Sequence, residues 1–445
     1  MDTVNETPLT IGIFGTYGFG NMGDAMVADA TIAGLKRCRP NAHIIGICQQ
    51  PVNVHKRHGI DAISIFRKYI QNTDYTPTNS DPPTPRLFQF TIASLRDRVI
   101  VTIKSFPILF KTLKALAFTA HFLFNLLQET YFCLTIFKHL RKIDLLVIAG
   151  SGQLNDEWGG AWRYPFALFR WCLIARLTGC KIAFMSVGAG AITHKASRLF
   201  CTWAIKLAHY KSFRDANTLE KIIGWGVIGA QWVPDMAFSV QIDERVKALA
   251  VSTSPAAVCI NPISFGDPRS WCTPNAAAYN RYTHELALFC DWLLEQGHNL
   301  HFIPNNIEMD NPTIDDIITQ LHPRENIAEK LFRPKTETYR DVYHNIGNVD
   351  FVFASRFHGV VFALMQNIPV VALAHHYKYA ELLKEMEQEK YGLNINTFTA
   401  NHLKALFLQL QLSETENKTA IRENVKHYRD LTEDQFRCIS RLCIS

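Results

Sequence analysis

The chain has 445 residues, of which 48% are hydrophobic and 19% charged, with a net charge of +6. That length accommodates about two or three ordinary domains, and the composition argues against extended disorder and against the strongly basic balance of a nucleic-acid binder. Eleven cysteines without a CxxC pair fit neither a zinc site nor a disulfide framework, so they read as buried thiols of a reducing compartment. The opening MDTVNETPLTIGIFG is acidic and runs straight into a strand, without the positive segment of a signal peptide, so a cytoplasmic location is expected.

Thr10 to Gly15 is a short apolar run ending in glycine and predicts a buried strand. Helical periodicity follows over Asp24 to Arg37, and His43 to Cys48 reads as a second strand, which together make a βαβ opening. Tyr75 to Pro85 is loop-like. It leads into an insertion at about 86–140, whose most apolar stretch, Phe106 to Phe137, is interrupted by Lys111, Lys114, His121, Gln128 and Glu129 and has Ala115 to Leu127 as its longest uncharged core. That core falls short of the roughly 20 residues a membrane span needs. It reads as a pair of buried or lid helices, or as an amphipathic face resting on a membrane.

The sheet resumes at Ile143 to Gly150 and continues at Lys181 to Gly188 and Tyr210 to Arg214, with helices between. Val240 to Pro255 is polar and reads as a linker. A second alternating series then runs from Ala256 to Ala374, with a helix expected over Thr313 to Leu321. The organisation predicted is an N-terminal α/β domain over 1–245, carrying the insertion at 86–140, and a C-terminal α/β domain over 246–445. Two such units face a cleft at the carboxyl ends of their strands.

Five strand-end segments could carry chemistry. Gly15 to Asp24 includes Gly20, Asn21 and Asp24 before a helix whose free N–H groups suit an anion. Its glycines satisfy GxGxxG, but the second strand ends Cys48-Gln49-Gln50 instead of with an acidic residue, so a dinucleotide site is disfavoured. Asn21 and Asp24 could equally be caps. Gly150 to Asp156 brings Gly152 and Asp156 to a strand end, either as a simple turn or as a loop that binds substrate hydroxyls. Ser212-Phe-Arg214-Asp215 offers Arg214 as an anion ligand or as an ion pair with Asp215. Ser355-Arg356-Phe357-His358-Gly359 delivers a hydroxyl, a guanidinium and an imidazole together at a helix N-terminus, a constellation that can hold an anion and move a proton. Ala374 to Tyr379 follows the next strand. Its adjacent His375 and His376 are not a metal signature, and Lys378 is either a phosphate contact or a solvated lysine.

The order of these segments resembles the polysaccharide pyruvyl transferases. The resemblance rests on Asn21-Met-Gly-Asp24, Gly150-Ser-Gly152, Ser212-Phe-Arg-Asp215, Pro234-Asp-Met-Ala-Phe238 and Ser355-Arg-Phe-His358, with Lys378 after the last strand, and spans about residues 10–390. The sequence departs from the family pattern in having Gly-Ser-Gly for a glycine triplet and Phe357 for a leucine, and in the apolar insertion. The resemblance implies two Rossmann-like domains similar to the GT-B glycosyltransferase fold. It also implies transfer of a pyruvyl group from phosphoenolpyruvate to saccharide hydroxyls as a ketal, with no metal or redox cofactor and no nucleic acid. In that reading His358 and Asp24 are catalytic. Arg356, Arg214, Ser355, Lys378, Asn21, Gly20, Gly152 and Asp156 bind substrates. The acceptor could be lipid-linked, with peripheral contact to the inner face of a membrane through 86–140. The rival readings are a glycosyltransferase using a nucleotide sugar, with Glu381 as its ribose carboxylate, and a non-catalytic membrane-associated protein.

Overall fold

The structure, a computed structural model, describes residues 9–17, 21–67, 107–157, 159–241, 255–271 and 273–442, with backbone alone over 107–118 and 120–122. Its elements, in chain order, are β1 Thr10–Gly15, α1 Met22–Cys38, β2 His43–Cys48, α2 Pro51–His58, β3 Asp61–Ser64, α3 Pro107–Leu140, β4 Leu145–Ala149, α4 Tyr164–Leu177, β5 Lys181–Val187, α5 Lys195–Lys206, β6 Tyr210–Phe213, α6 Ala216–Gly224, β7 Gln231–Trp232 and a 3₁₀ turn Met236–Ser239. The second series is β8 Ala257–Asn261, α7 Ala276–Glu295, β9 Asn299–Phe302, α8 Ile307–Thr319, α9 Ile327–Lys330, β10 Leu331–Phe332, α10 Tyr339–Gly347, β11 Phe351–Ala354, α11 Phe357–Met365, β12 Val370–Ala374, α12 Tyr377–Glu385, β13 Gly392–Asn394, α13 Ala400–Leu412 and α14 Glu414–Leu442.

Two wholly parallel sheets result, of seven strands in the order β3-β2-β1-β4-β5-β6-β7 and of six in the order β10-β9-β8-β11-β12-β13. Strands covered on both faces read as continuous apolar runs, as TIGIFG and LLVIA do here. Alternate residues of the first sheet feed different cores. Ile11, Ile13, Val147 and Met185 pack with α1 and α14, while Phe14, Leu146, Ile148 and Phe184 pack with α3, α4 and α5. In each sheet the order in which strands are added switches from one side of the first strand to the other, between β1 and β4 and between β8 and β11, and such switch points open a crevice at the strand ends.

Three expectations change. The described part of the apolar insertion, 107–140, is one continuous 34-residue helix, α3, where a pair of helices was expected over the most apolar stretch. The helix predicted over Thr313 to Leu321 begins earlier, because Asn306 caps it by accepting from Met309 N at 3.2 Å. The end of the C-terminal half also returns to the first sheet. On α14, Gln435 donates to Ser186 Oγ at 3.0 Å and accepts from Ser212 Oγ, while Phe436 occupies the space that a side chain at Gly34 would need. The proposed linker lies largely outside the described residues, as does the expected loop 75–85.

The domains touch at specific pegs. Tyr339 donates to Asp29 Oδ2 at 2.8 Å, and Asp29 also holds His58 Nδ1 at 2.5 Å. Gln435 is 2% exposed, so its removal would leave the buried Ser186 hydroxyl without the amide that donates to it and take one of the acceptors from Ser212. Gln435→Ala is expected to destabilise the protein by about 1–3 kcal/mol, read as a lower midpoint of urea unfolding.

Candidate functional site

The first sheet presents its strand ends as follows. Asn21 caps α1, its side chain accepting from Gly23 N at 3.0 Å, and its amide reaches Asp24 Oδ2 at 3.1 Å. Asp24 therefore sits in the first turn with its other oxygen held by Ser151 Oγ at 2.5 Å. Ser151 adopts a left-handed backbone, φ 55°, that a non-glycine residue rarely takes, and this aims its hydroxyl at Asp24. Removal from water raises the Asp24 pKa, against the opposing pull of the Ser151 hydrogen bond and of the charges on Arg214 and Lys378.

Arg214 leaves β6 and pairs with Asp235 at 2.8 Å, while Asp215 stands 3.9 Å away and caps α6 by accepting from Thr218 N at 2.7 Å. The guanidinium lies 5.6 Å from the Phe357 ring centroid and fills the place of a side chain at Gly188. Burial alone would raise Asp235, but Arg214 and then His358 hold it below the usual carboxylate range.

From the second sheet come His358 at the start of α11 and Lys378 at the start of α12. A Cβ at Gly23 would overlap the His358 ring at Nδ1, so α1 and α11 meet there with no room for a side chain. His358 Nε2 is buried without a hydrogen-bond partner among the described residues. Desolvation takes this imidazole down to about 4. Asp235 opposes that shift, and Arg214, Lys378 and Arg356 add to it. Lys378 Nζ lies 4.7 Å over the Phe357 ring, and no carboxylate among the described residues forms an ion pair with it. Desolvation, then repulsion from Arg214, brings it down to about 8. Lys378 is thus half-buried over the Phe357 ring.

Other candidates are placed differently. Arg356 Nε contacts both oxygens of the buried Asp310, at 3.1 and 3.0 Å, and Nη2 reaches it too. Asp310 also accepts from Asn305 N and Asn306 N, so the bidentate edge of Arg356 is committed within the protein and only its remaining edge faces outward. Ser355 Oγ pairs with Tyr282 Oη at 2.8 Å and its carbonyl accepts from Tyr379 at 2.7 Å, which makes it part of the frame. Asp156 is not presented to a ligand: its carboxylate accepts from Thr193 N and His194 N, both at 2.9 Å, and pins the 190–194 segment. Gly152 borders open space, and Gly20 lies outside the described residues. His375 packs on Tyr379 while His376 caps α12, and no group of three potential metal ligands occurs among the described residues.

Sequence reasoning missed Asp310, whose segment carries no motif, and did not place Asp235 or Ser151 in the site although both stand within segments it singled out. It also missed Gly23 as the point of contact between the two halves. The match of a family model settles the wider identity, since the polysaccharide pyruvyl transferase model covers residues 21–377. The chain belongs to the polysaccharide pyruvyl transferase family.

This transferase shares its fold with solved two-domain structures. UDP-GlcNAc 2-epimerase from Neisseria meningitidis bound to UDP-GlcNAc superposes with a TM-score of 0.52 at 11% identity, covering 97% of this chain and 99% of that one. A glycosyltransferase from Rickettsia africae gives 0.52 at 10%, covering 99% of each chain. A putative UDP-N-acetylglucosamine 2-epimerase from Listeria monocytogenes gives 0.53 at 10%, covering 93% and 91%. At such identities the likeness is one of fold, the GT-B architecture. No curated protein matches the sequence.

In this pyruvyl transferase family member, Gly23→Ala is expected to cost roughly 1–3 kcal/mol by overpacking. In a His358→Ala background that penalty should largely vanish, a coupling that a double-mutant cycle of melting curves measures.

Proposed function

We propose that the cleft transfers a pyruvyl group from phosphoenolpyruvate to two hydroxyls of a saccharide, forming a ketal and releasing inorganic phosphate. The observation that carries the reading is a pair of unmet groups side by side: the unpaired ammonium of Lys378 and the unpartnered Nε2 of His358, backed by Arg214. A donor bearing a phosphate and a carboxylate supplies both with partners. Its negative charge also raises the His358 pKa from its low value, so the imidazole acquires a proton when the donor binds.

In the reading we favour, His358 gives that proton to the methylene carbon of the donor, leaving an oxocarbenium-like centre at the neighbouring carbon. An acceptor hydroxyl bonds there and its proton passes to Asp24, which Ser151 holds in place. The bond to the phosphate oxygen then breaks, the second hydroxyl closes the ketal, and its proton leaves on the phosphate. Return of the proton from Asp24 to His358 completes the cycle. Arg214 and Lys378 stabilise the donor anions, and the outward edge of Arg356 adds to their field. A role in cell-surface or exopolysaccharide synthesis, at the cytoplasmic side of a membrane and on a lipid-linked acceptor, fits this chemistry.

The nucleotide-sugar alternative draws on the UDP-GlcNAc named with the Neisseria epimerase. The carboxylate suggested for it, Glu381, accepts from Asn217 N at 3.1 Å across the two halves and is raised to about 7 by desolvation and then by Asp215. Calorimetry with each ligand separates the readings. Phosphoenolpyruvate should bind, and Lys378→Met should weaken it roughly ten- to hundredfold, the worth of a charge-assisted contact. Binding of UDP-sugars with none of phosphoenolpyruvate would overturn the pyruvyl reading.

The pH dependence has a definite sign. A lysine lowered to about 8 is charged below that pH and neutral above it. Donor affinity should therefore fall as pH rises through about 8, and calorimetric titrations of Lys378→Met should show that fall removed.

A further inference from the structure

One side of the first domain is apolar beyond what its core requires. The described part of α3 buries Ile136 and Leu140 against α4 and the sheet, yet its opposite side carries Leu123, Leu127, Tyr131 and Leu134 into solvent. Leu127 is 70% exposed and Tyr131 73%. A helix that is apolar all round calls for a second apolar environment. The patch continues across α4 and α5 with Trp162, Leu177 and Trp203, where rings of Trp162, Phe166, Phe169, Phe200 and Trp203 stand 5.2–5.8 Å apart in a chain.

Charge identifies what covers this surface. Among the described side chains of α3, α4 and α5 the one carboxylate is Glu129, which is paired with Arg170, and the segments flanking these helices add the exposed Asp144 and Glu157. Lys138, Arg141, Lys142, Arg163, Lys195 and Lys206 are all exposed around the apolar residues. An apolar helix face with Trp and Tyr, around which exposed cations outnumber carboxylates, is complementary to a negatively charged bilayer. No helix among the described residues is long and apolar enough to cross a membrane, so the contact would lie along the surface.

We propose that the face formed by α3, α4 and α5 docks on an anionic lipid bilayer, with Trp162 at the level of the headgroups. Trp162 stands eleven residues beyond Ser151, whose hydroxyl holds Asp24, so the loop that borders the candidate site also ends at the membrane face. An acceptor saccharide carried on a lipid would then reach the cleft from the bilayer side. This deepens the reading given above by naming how its acceptor arrives, and the two can fail separately, because vesicle binding requires no donor.

The full chain is sedimented with mixed phosphatidylglycerol–phosphatidylcholine vesicles and with phosphatidylcholine alone, at low and high salt. Binding to the anionic vesicles and release by salt are expected. Removing the cations with Arg141→Ala/Lys142→Ala should weaken binding roughly fivefold per charge, and Leu127→Ser/Tyr131→Ser should abolish it with the melting temperature unchanged. Brominated lipid should quench tryptophan emission, less so in Trp162→Phe. Absence of vesicle binding at low salt would overturn the proposal, as would binding that neither double variant alters. Size-exclusion chromatography that shows a dimer broken by Leu127→Ser/Tyr131→Ser, with no vesicle binding, would instead assign the face to a second copy of the chain.

Discussion

The contact between Gly23 and His358 governs how the rest of the molecule is arranged. A helix N-terminus from each sheet reaches the same point, and there is space only because one of the two residues has no side chain. Holding the two that close brings charges from separate domains into one field. Arg214 and Asp24 come from the first, His358 and Lys378 from the second. The low pKa of His358 and the depressed one of Lys378 follow first from loss of water and then from the cations gathered there, chiefly Arg214.

The architecture around the contact is a support for it. The pegs at Asp29 and Glu381 and the return of α14 onto the first sheet fix the two halves against each other. Within each half, buried carboxylates lock the arginines. Asp235 holds Arg214 and Asp310 holds Arg356, so neither guanidinium must be ordered when a ligand arrives. Lys378 and the Nε2 of His358 are left as the groups with something to gain from an anion. The candidate site is an incomplete hydrogen-bonding and charge set, and the donor proposed above would complete a network the protein has already built.

Much of the site could be read from the sequence because its residues sit at strand ends, where short apolar runs stop at glycine or a polar residue. The strands that lead to Arg214 and His358, and the helix N-termini that follow, are legible from periodicity alone. The roles within the site were less so. Arg356 reads in the sequence as the donor's ligand, yet Asp310, some 46 residues earlier, takes its fork. Asp156 reads as a substrate contact, yet backbone N–H groups of Thr193 and His194 claim it. Such assignments depend on which loops the fold folds back, and no local pattern records that.

What the sequence by itself determined was the class of the protein. Alternating apolar strands and amphipathic helices demand parallel sheets covered on both faces, and the ordered motifs identify the family to which the chain belongs. Tertiary structure alone decided the partner of each charge, the passage of α14 to the other domain and the exposure of one side of α3. Those outcomes are contacts between segments far apart in the chain, set by packing and desolvation in three dimensions, whereas periodicity and propensity are properties of neighbours along it.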